Sequence, residues 1–387
     1  MPEQAPGAPE RSVREFAAAF RKFLDWIGST AGEGERNEVS ALVRDFLKED
    51  SARHFVVSRT LPAFEHVNLQ TAVDHWSARP GRTVEVRGIA LPPHFGGLSL
   101  QQLVAGEALP PLRLTAPALV DLPNGPGSTL GCLRLALLLV SDHDGRYVVM
   151  IKAPSDHQPD LVVEVAGLPV DLAQRLLAEL ERLRGELNVY RGHLLEVSLS
   201  PMGGVALGFA PPPGIGRDDV VLPDTVLRRI EQHALGVAQH RQALLAAGQH
   251  LKRGLLLYGP PGTGKTHTTQ YLLGQMTGYT RLVLTGRSLV AVGGVTELAR
   301  ALLPAVVVLE DVDLVAEERS MGPASSPVLF DLLDSAQEVT RTLLGVGVDP
   351  ADLPAGGLLQ AAQGVVPAAV AMAHRRARSM RRMGRFG

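Results

Sequence analysis

Eight consecutive residues, Gly259-Pro260-Pro261-Gly262-Thr263-Gly264-Lys265-Thr266, constrain the fold more than any other stretch of the chain. A run with three glycines and two prolines continues neither helix nor strand, so the segment must turn. The apolar residues 254–258 (GLLLY) before it predict a short buried strand, and residues 267–276 (HTTQYLLGQM) after it predict a helix. A strand that turns through glycines into a helix aims successive main-chain N–H groups at one point, and the helix adds the positive end of its dipole there. The string also fits G-x-x-x-x-G-K-[ST], in which the lysine reaches the β- and γ-phosphates of a nucleotide and the hydroxyl ligates Mg²⁺. Gly259, Pro260, Pro261, Gly262, Thr263, Gly264, Lys265 and Thr266 are therefore candidate phosphate-binding residues. His267 is counted with them by position but reads as a helix-start residue rather than a base.

Phosphoryl transfer to water also needs carboxylates, to hold the metal and to orient the attacking water. Residues 305–309 (AVVVL) form a β-branched run of the kind buried on both faces of a parallel sheet, and Glu310-Asp311 follows at its C-terminal end. Ligands of open parallel sheets bind at such ends. The catalytic candidates are thus Lys265, Glu310 and Asp311, and the metal candidates Thr266 and Glu310.

The 387 residues exceed one ordinary domain. Hydrophobic residues at 45% and charged residues at 20% are enough for a core and exclude a wholly disordered chain. A net charge of −2 gives no global field that would favour nucleic acid or an anionic membrane. The single cysteine, Cys132, excludes an intrachain disulfide, fits a reducing compartment and reads as a buried, inert thiol in an apolar run. The acidic, proline-containing N-terminus lacks the pattern of a secretion signal, and no apolar stretch approaches the roughly 20 residues that span a bilayer. The expectation is a cytoplasmic protein with no transmembrane segment. The histidines show no spacing suited to zinc.

Along the chain, residues 1–12 read as disordered, and residues 13–28 as an amphipathic helix with Phe16, Phe20 and Phe23 on its apolar face. Helices are predicted at 38–47 and 171–187, and strands at 83–88, 146–152 and 161–166. The run Ala210-Pro211-Pro212-Pro213-Gly214-Ile215-Gly216 reads as a linker. Residues 13–212 are then a mixed α+β domain for a substrate or partner, and residues 213–334 the nucleotide-binding core, whose first part, 224–247, is one or two helices. The paired bases Arg228-Arg229 and Lys252-Arg253 read as solvated positions. Residues 335–387 diverge and end in a tail with Arg375, Arg376, Arg378, Arg381, Arg382 and Arg385. Three readings of that tail stay open: a salt-sensitive anion-binding arm, a solvated terminus without a role, or the product of a shifted reading frame or truncated gene.

Residues 219–334, with GPPGTGKT and VVVLEDVD at their centre, resemble the core of an AAA-family ATPase. The resemblance implies an αβα P-loop sandwich, ATP and Mg²⁺ as ligands, a hexameric ring as homo-oligomer, and hydrolysis coupled to remodelling of a protein substrate. It makes residues 259–266 the Walker A loop and Glu310-Asp311 the Walker B pair, and sets 218–222 where the family's adenine pocket begins. Here glutamate precedes aspartate, the reverse of the usual order. Residues 288–294 carry no aromatic where a pore loop would stand. No asparagine follows Asn188, and the residues after 334 leave no room for a full sensor strand, last core strand and helical lid. The C-terminal end of the core therefore reads as incomplete. The alternative is a nucleotide-binding scaffold that hydrolyses little or nothing, without sensor, arginine fingers or lid.

Overall fold

The computed structural model describes residues 16, 19–22, 37–48, 55–92, 97–105, 109–155, 158–200, 204–249, 254–257, 262–285, 288, 291–310 and 343–346. Residues 1–12, most of the first amphipathic stretch, the pair Lys252-Arg253 and the arginine tail lie outside the described residues, although residues 16 and 19–22 are helical. The chain divides into two units: 1–61, 72–120 and 132–183 in the first, and 62–71, 121–131 and 184–387 in the second.

From residue 38 to residue 186 the elements run α1 (Glu38–Leu47), β1 (Val56–Leu61), α2 (His66–Ser77), β2 (Thr83–Ala90), α3 (Leu100–Ala105), β3 (Arg113–Thr115), β4 (Leu119–Gly125), β5 (Ser128–Leu133), β6 (Leu135–Asp142), β7 (Gly145–Lys152), β8 (Leu161–Ala166) and α4 (Val170–Glu186), with parts of α2, β4 and β5 counted in the second unit. Six strands form one antiparallel sheet in the order β1-β8-β7-β6-β2-β3. Its centre is the β6–β7 hairpin. Asp142 pairs with Gly145 across the turn, where φ is +117°, a conformation that glycine takes without strain. One face packs Leu137, Leu139, Val148 and Met150 against Val39, Val43, Leu100 and Leu103 of α1 and α3. The alternate residues Leu138, Val140, Tyr147, Val149 and Ile151 are buried as well, which is why these strands read as continuous apolar runs. Helix α1 starts where Asn37 accepts the Ser40 N–H at 3.0 Å and stops at Lys48, whose φ is 61°. A buried carboxylate, Glu164, accepts the Leu100 N–H at 2.7 Å and pairs with Lys152 at 3.2 Å, so both of its oxygens are satisfied.

The second unit contains β9 (Leu194–Leu199), β10 (Val205–Phe209), α5 (Asp224–Gln239), α6 (Arg241–Ala246), β11 (Gly254–Leu257), α7 (Lys265–Gln275), β12 (Thr280–Leu284), α8 (Val292–Ala301), β13 (Ala305–Leu309) and β14 (Leu343–Val346). The sheet order is β10-β9-β12-β13-β14-β11, parallel throughout except that β10 runs antiparallel to β9. Leu227 and Ile230 of α5 and Tyr271, Leu272 and Leu273 of α7 pack with Leu255, Val306 and Val308 of the strands.

The structure differs from the sequence-based expectation at both ends of this sheet. Strands β9 and β10 precede the proline run yet belong to the second unit's sheet, β9 pairing with β12 from Arg281↔Leu194 to Leu284↔Val197. The prolines break regular structure without ending the unit; the chain leaves β10, crosses residues 211–216 and re-enters the same core at Val220. Toward the other edge, where the sequence left no room for a full sensor strand, last core strand and lid together, β14 stands between β11 and β13 and pairs with both. Four residues are enough to fill that place in the sheet.

Candidate functional site

The strand β11 ends at Leu257 and the helix α7 begins at Lys265. Between them Gly262 and Gly264 have φ of +78° and +81°, so the two glycines fall where the backbone is left-handed. Gly264 is the N-cap of α7, and its carbonyl accepts both the N–H and the hydroxyl of Thr268 at 2.9 Å. The Thr269 hydroxyl likewise donates to the Lys265 carbonyl at 3.1 Å. These two threonines spend their hydroxyls inside the helix, which leaves Thr266, exposed in the first turn, as the hydroxyl available to a ligand. Of the predicted loop residues, Gly262, Thr263, Gly264, Lys265, Thr266 and His267 are described; Gly259, Pro260 and Pro261 lie outside the described residues.

Glu310 directly follows β13, and its N–H donates to the Leu284 carbonyl at 2.9 Å, extending the ladder with β12 by one step. Because β11, β13 and β14 are parallel, the loop and Glu310 lie at the same C-terminal edge of one sheet, with only β14 between their strands. Two strand spacings amount to about 10 Å, a gap that a triphosphate with a bound cation spans. Asp311 lies outside the described residues. The donor set fits such a ligand: main-chain N–H groups at a helix N-terminus, an ammonium, a hydroxyl and a carboxylate at the same edge of the sheet.

Sequence reasoning missed what surrounds α7. The His267 ring, through Nε2, lies 3.2 Å from the Asp219 carbonyl, in the short helical turn Arg217–Asp219. Tyr271 donates to Glu231 at 2.7 Å, and Arg217 reaches both Glu231 and Asp224 at 2.9 Å. The bond from Arg217, with Arg228 nearby, holds the Asp224 carboxyl below its ordinary range, and the same bonds hold Arg217 above its own. Burial, with the bond to Glu231, pushes the Tyr271 phenol up to about 12. At the far end of α7, the buried Arg281 donates to the carbonyls of Leu273 at 2.9 Å and Gly192 at 3.2 Å. An arginine set within the short strand run TRLVL is the signal that would have pointed there.

In the first unit, Asp142, His143 and Asp144 have ligand atoms close enough to share a cation, but the Asp142 carboxylate is already taken by Arg82 at 2.9 Å and Tyr147 at 2.7 Å. Cys132 is buried, as expected. Among the described residues, no helix is long and apolar enough to cross a membrane.

Comparison with known proteins gives the same direction. Residues 255–379 match the family described as "ATPase family associated with various cellular activities (AAA)". The human protein named ATPase family gene 2 protein homolog A is 24% identical over 341 residues, covering 84% of this chain. The match takes in 33% of that protein, so the chain spans about a third of its relative's length.

Proposed function

We propose, from the match of residues 255–379 to the AAA family, that the chain binds ATP with Mg²⁺ at the loop 259–267, hydrolyses it, and uses the cycle to remodel a protein substrate. The observation that carries this reading is the common edge of one parallel sheet on which Lys265, Thr266 and Glu310 stand. Main-chain N–H groups of Gly259, Gly262, Thr263 and Gly264 donate to the phosphates, Pro260 and Pro261 shape the loop without donating, and Lys265 stabilises charge on the γ-phosphate. Thr266 and Glu310 would hold Mg²⁺, directly or through water, and the bound cation would offset negative charge on the phosphates. Glu310 and Asp311 orient the attacking water. The turn 218–222, joined to α7 through His267, takes the base end of the nucleotide. The elements of the first unit select the substrate, and a homo-oligomeric ring, hexameric as in the family, sets each site between neighbours.

The test is ATP turnover measured against protein concentration beside direct nucleotide binding. Lys265→Ala should abolish binding. Glu310→Gln with Asp311→Asn should keep binding and remove turnover, and the wild-type rate should rise more than linearly as subunits assemble. Tight binding with no turnover above that double variant would refute hydrolysis and leave a nucleotide-binding scaffold.

A further inference from the structure

Three positions on one face of α7 meet the connector 213–219, His267 and Gly274 directly and Tyr271 through Glu231 of α5. His267, Tyr271 and Gly274 stand at i, i+4 and i+7, the spacing that aligns side chains along one helical stripe. His267 Nε2 lies 3.2 Å from the Asp219 carbonyl oxygen; a carbonyl only accepts, so Nε2 carries the proton and donates it. One turn further, the Tyr271 hydroxyl donates to Glu231 Oε1 at 2.7 Å, the same oxygen that takes the Arg217 Nε–H at 2.9 Å. At the next turn the helix surface is bare: a Cβ on Gly274 would come to 3.2 Å from the Pro213 carbonyl oxygen, closer than such contacts usually run.

The segment held in this way is stiff. Pro211, Pro212 and Pro213 restrict its entry. The Gly216 N–H donates to Asp219 Oδ2 at 2.8 Å, and Arg217 bridges forward to Asp224 at 2.9 Å. A stiff connector shifts as a piece, so its seat on α7 is set by a few contacts rather than by many small adjustments.

We infer that this stripe is a clamp that seats the connector 213–219 on the phosphate-loop helix, with His267 as the positioning residue at the nucleotide end. The linkage half of the inference rests on the ATP reading above; the seating half does not. A ligand that orders the first turn of α7 orders the His267 ring and through it the Asp219 turn, and by reciprocity a displaced connector weakens the hold on that ligand. His267 acts through Asp219 and does not touch the reacting atoms in this assignment.

Hydrogen exchange of the full chain, read over residues 214–222, separates the two halves. Without nucleotide, His267→Leu and Tyr271→Phe should each speed exchange there about three- to tenfold, and His267→Gln, whose amide N–H can replace the ring donor, should restore the wild-type rate. Unchanged exchange in both the leucine and phenylalanine variants would overturn the clamp. Mg-ATP should protect 262–266 in all three proteins; with Mg-tripolyphosphate, which has no base to touch 218–222, the wild type and His267→Gln should also gain protection at 214–222, whereas His267→Leu should gain it at the loop alone. Protection of the connector by Mg-tripolyphosphate in His267→Leu equal to wild type would overturn the linkage through His267. Absence of any nucleotide effect at 262–266 would instead remove the ATP reading and the linkage with it, while the nucleotide-free comparison still decides the clamp.

Discussion

Gly264 has to satisfy two demands at once: it turns the backbone into the left-handed region at φ +81°, and it caps α7 by offering its carbonyl to Thr268. Nothing stands within 4 Å of where a Cβ would go, so a side chain there fails by backbone strain and not by collision. Placing an L-residue in that conformation costs about 1–2 kcal/mol. Gly264→Ala should therefore lower the free energy of unfolding by that amount in a urea titration with the slope unchanged, and Gly264→Asn by less, because asparagine tolerates the region better. The glycine pattern was legible in the sequence because residue type itself encodes the backbone conformation at this loop. The contact of His267 was not, since its partner is a main-chain carbonyl 48 positions away, and any residue at 219 would supply the same oxygen.

At the scale of elements, Arg281 tests how α7 is anchored. Its guanidinium is buried and, by that burial, held below its ordinary pKa, while it donates to Leu273 in the last turn of α7 and to Gly192 just before β9. Two effects oppose each other: burial of a cation costs energy, and a cation near a helix C-terminus donating to terminal carbonyls returns it. With two charge-assisted bonds made, removing the donor strands both carbonyls, and the second effect should win. Arg281→Met should destabilise by about 1–3 kcal/mol by chemical denaturation, and Arg281→Lys by less, because an ammonium can serve only part of the fork. A more stable methionine variant would show that burial dominates. Elements with a strong period or a β-branched run, such as α1, α4, β8 and β13, could be read from the sequence. The four-residue β14 and the hairpin β9–β10 could not: each is short, and each is recognised as a strand only through a partner distant in the chain.

Over the whole molecule, the triple proline near residue 212 looks like a boundary in the sequence, and in the structure it lies within the second unit, between β10 and α5. Charge is where the two units can be read together. In the first, burial works to raise Asp142, but hydrogen bonds from Tyr147, Arg82 and the Asp144 N–H outweigh it and hold the carboxyl below 3.8. In the second, Asp224 is depressed by Arg217. A carboxylate whose pKa is lower when folded adds stability that is complete above its unfolded value and disappears as the pH falls through the folded one. Tyrosines give the opposite limb: burial first, then the bond to Asp142, raises Tyr147, and Tyr271 moves from 10.0 to about 12. Between these values the unfolded chain loses the phenolic proton before the folded chain does, so stability falls as the pH rises from about 10 toward 12. The thermal midpoint should thus be flat through neutrality, drop below pH 4 or so, and drop again above about 10. Tyr271→Phe should cost about 1–3 kcal/mol at neutral pH through the lost bond to Glu231, yet show a shallower alkaline limb. Asp142→Asn should flatten the acid limb in the same way. If the alkaline slope of Tyr271→Phe equals that of the wild type, Tyr271 does not carry its share of the limb, and the buried phenol of Tyr147 is left to account for it.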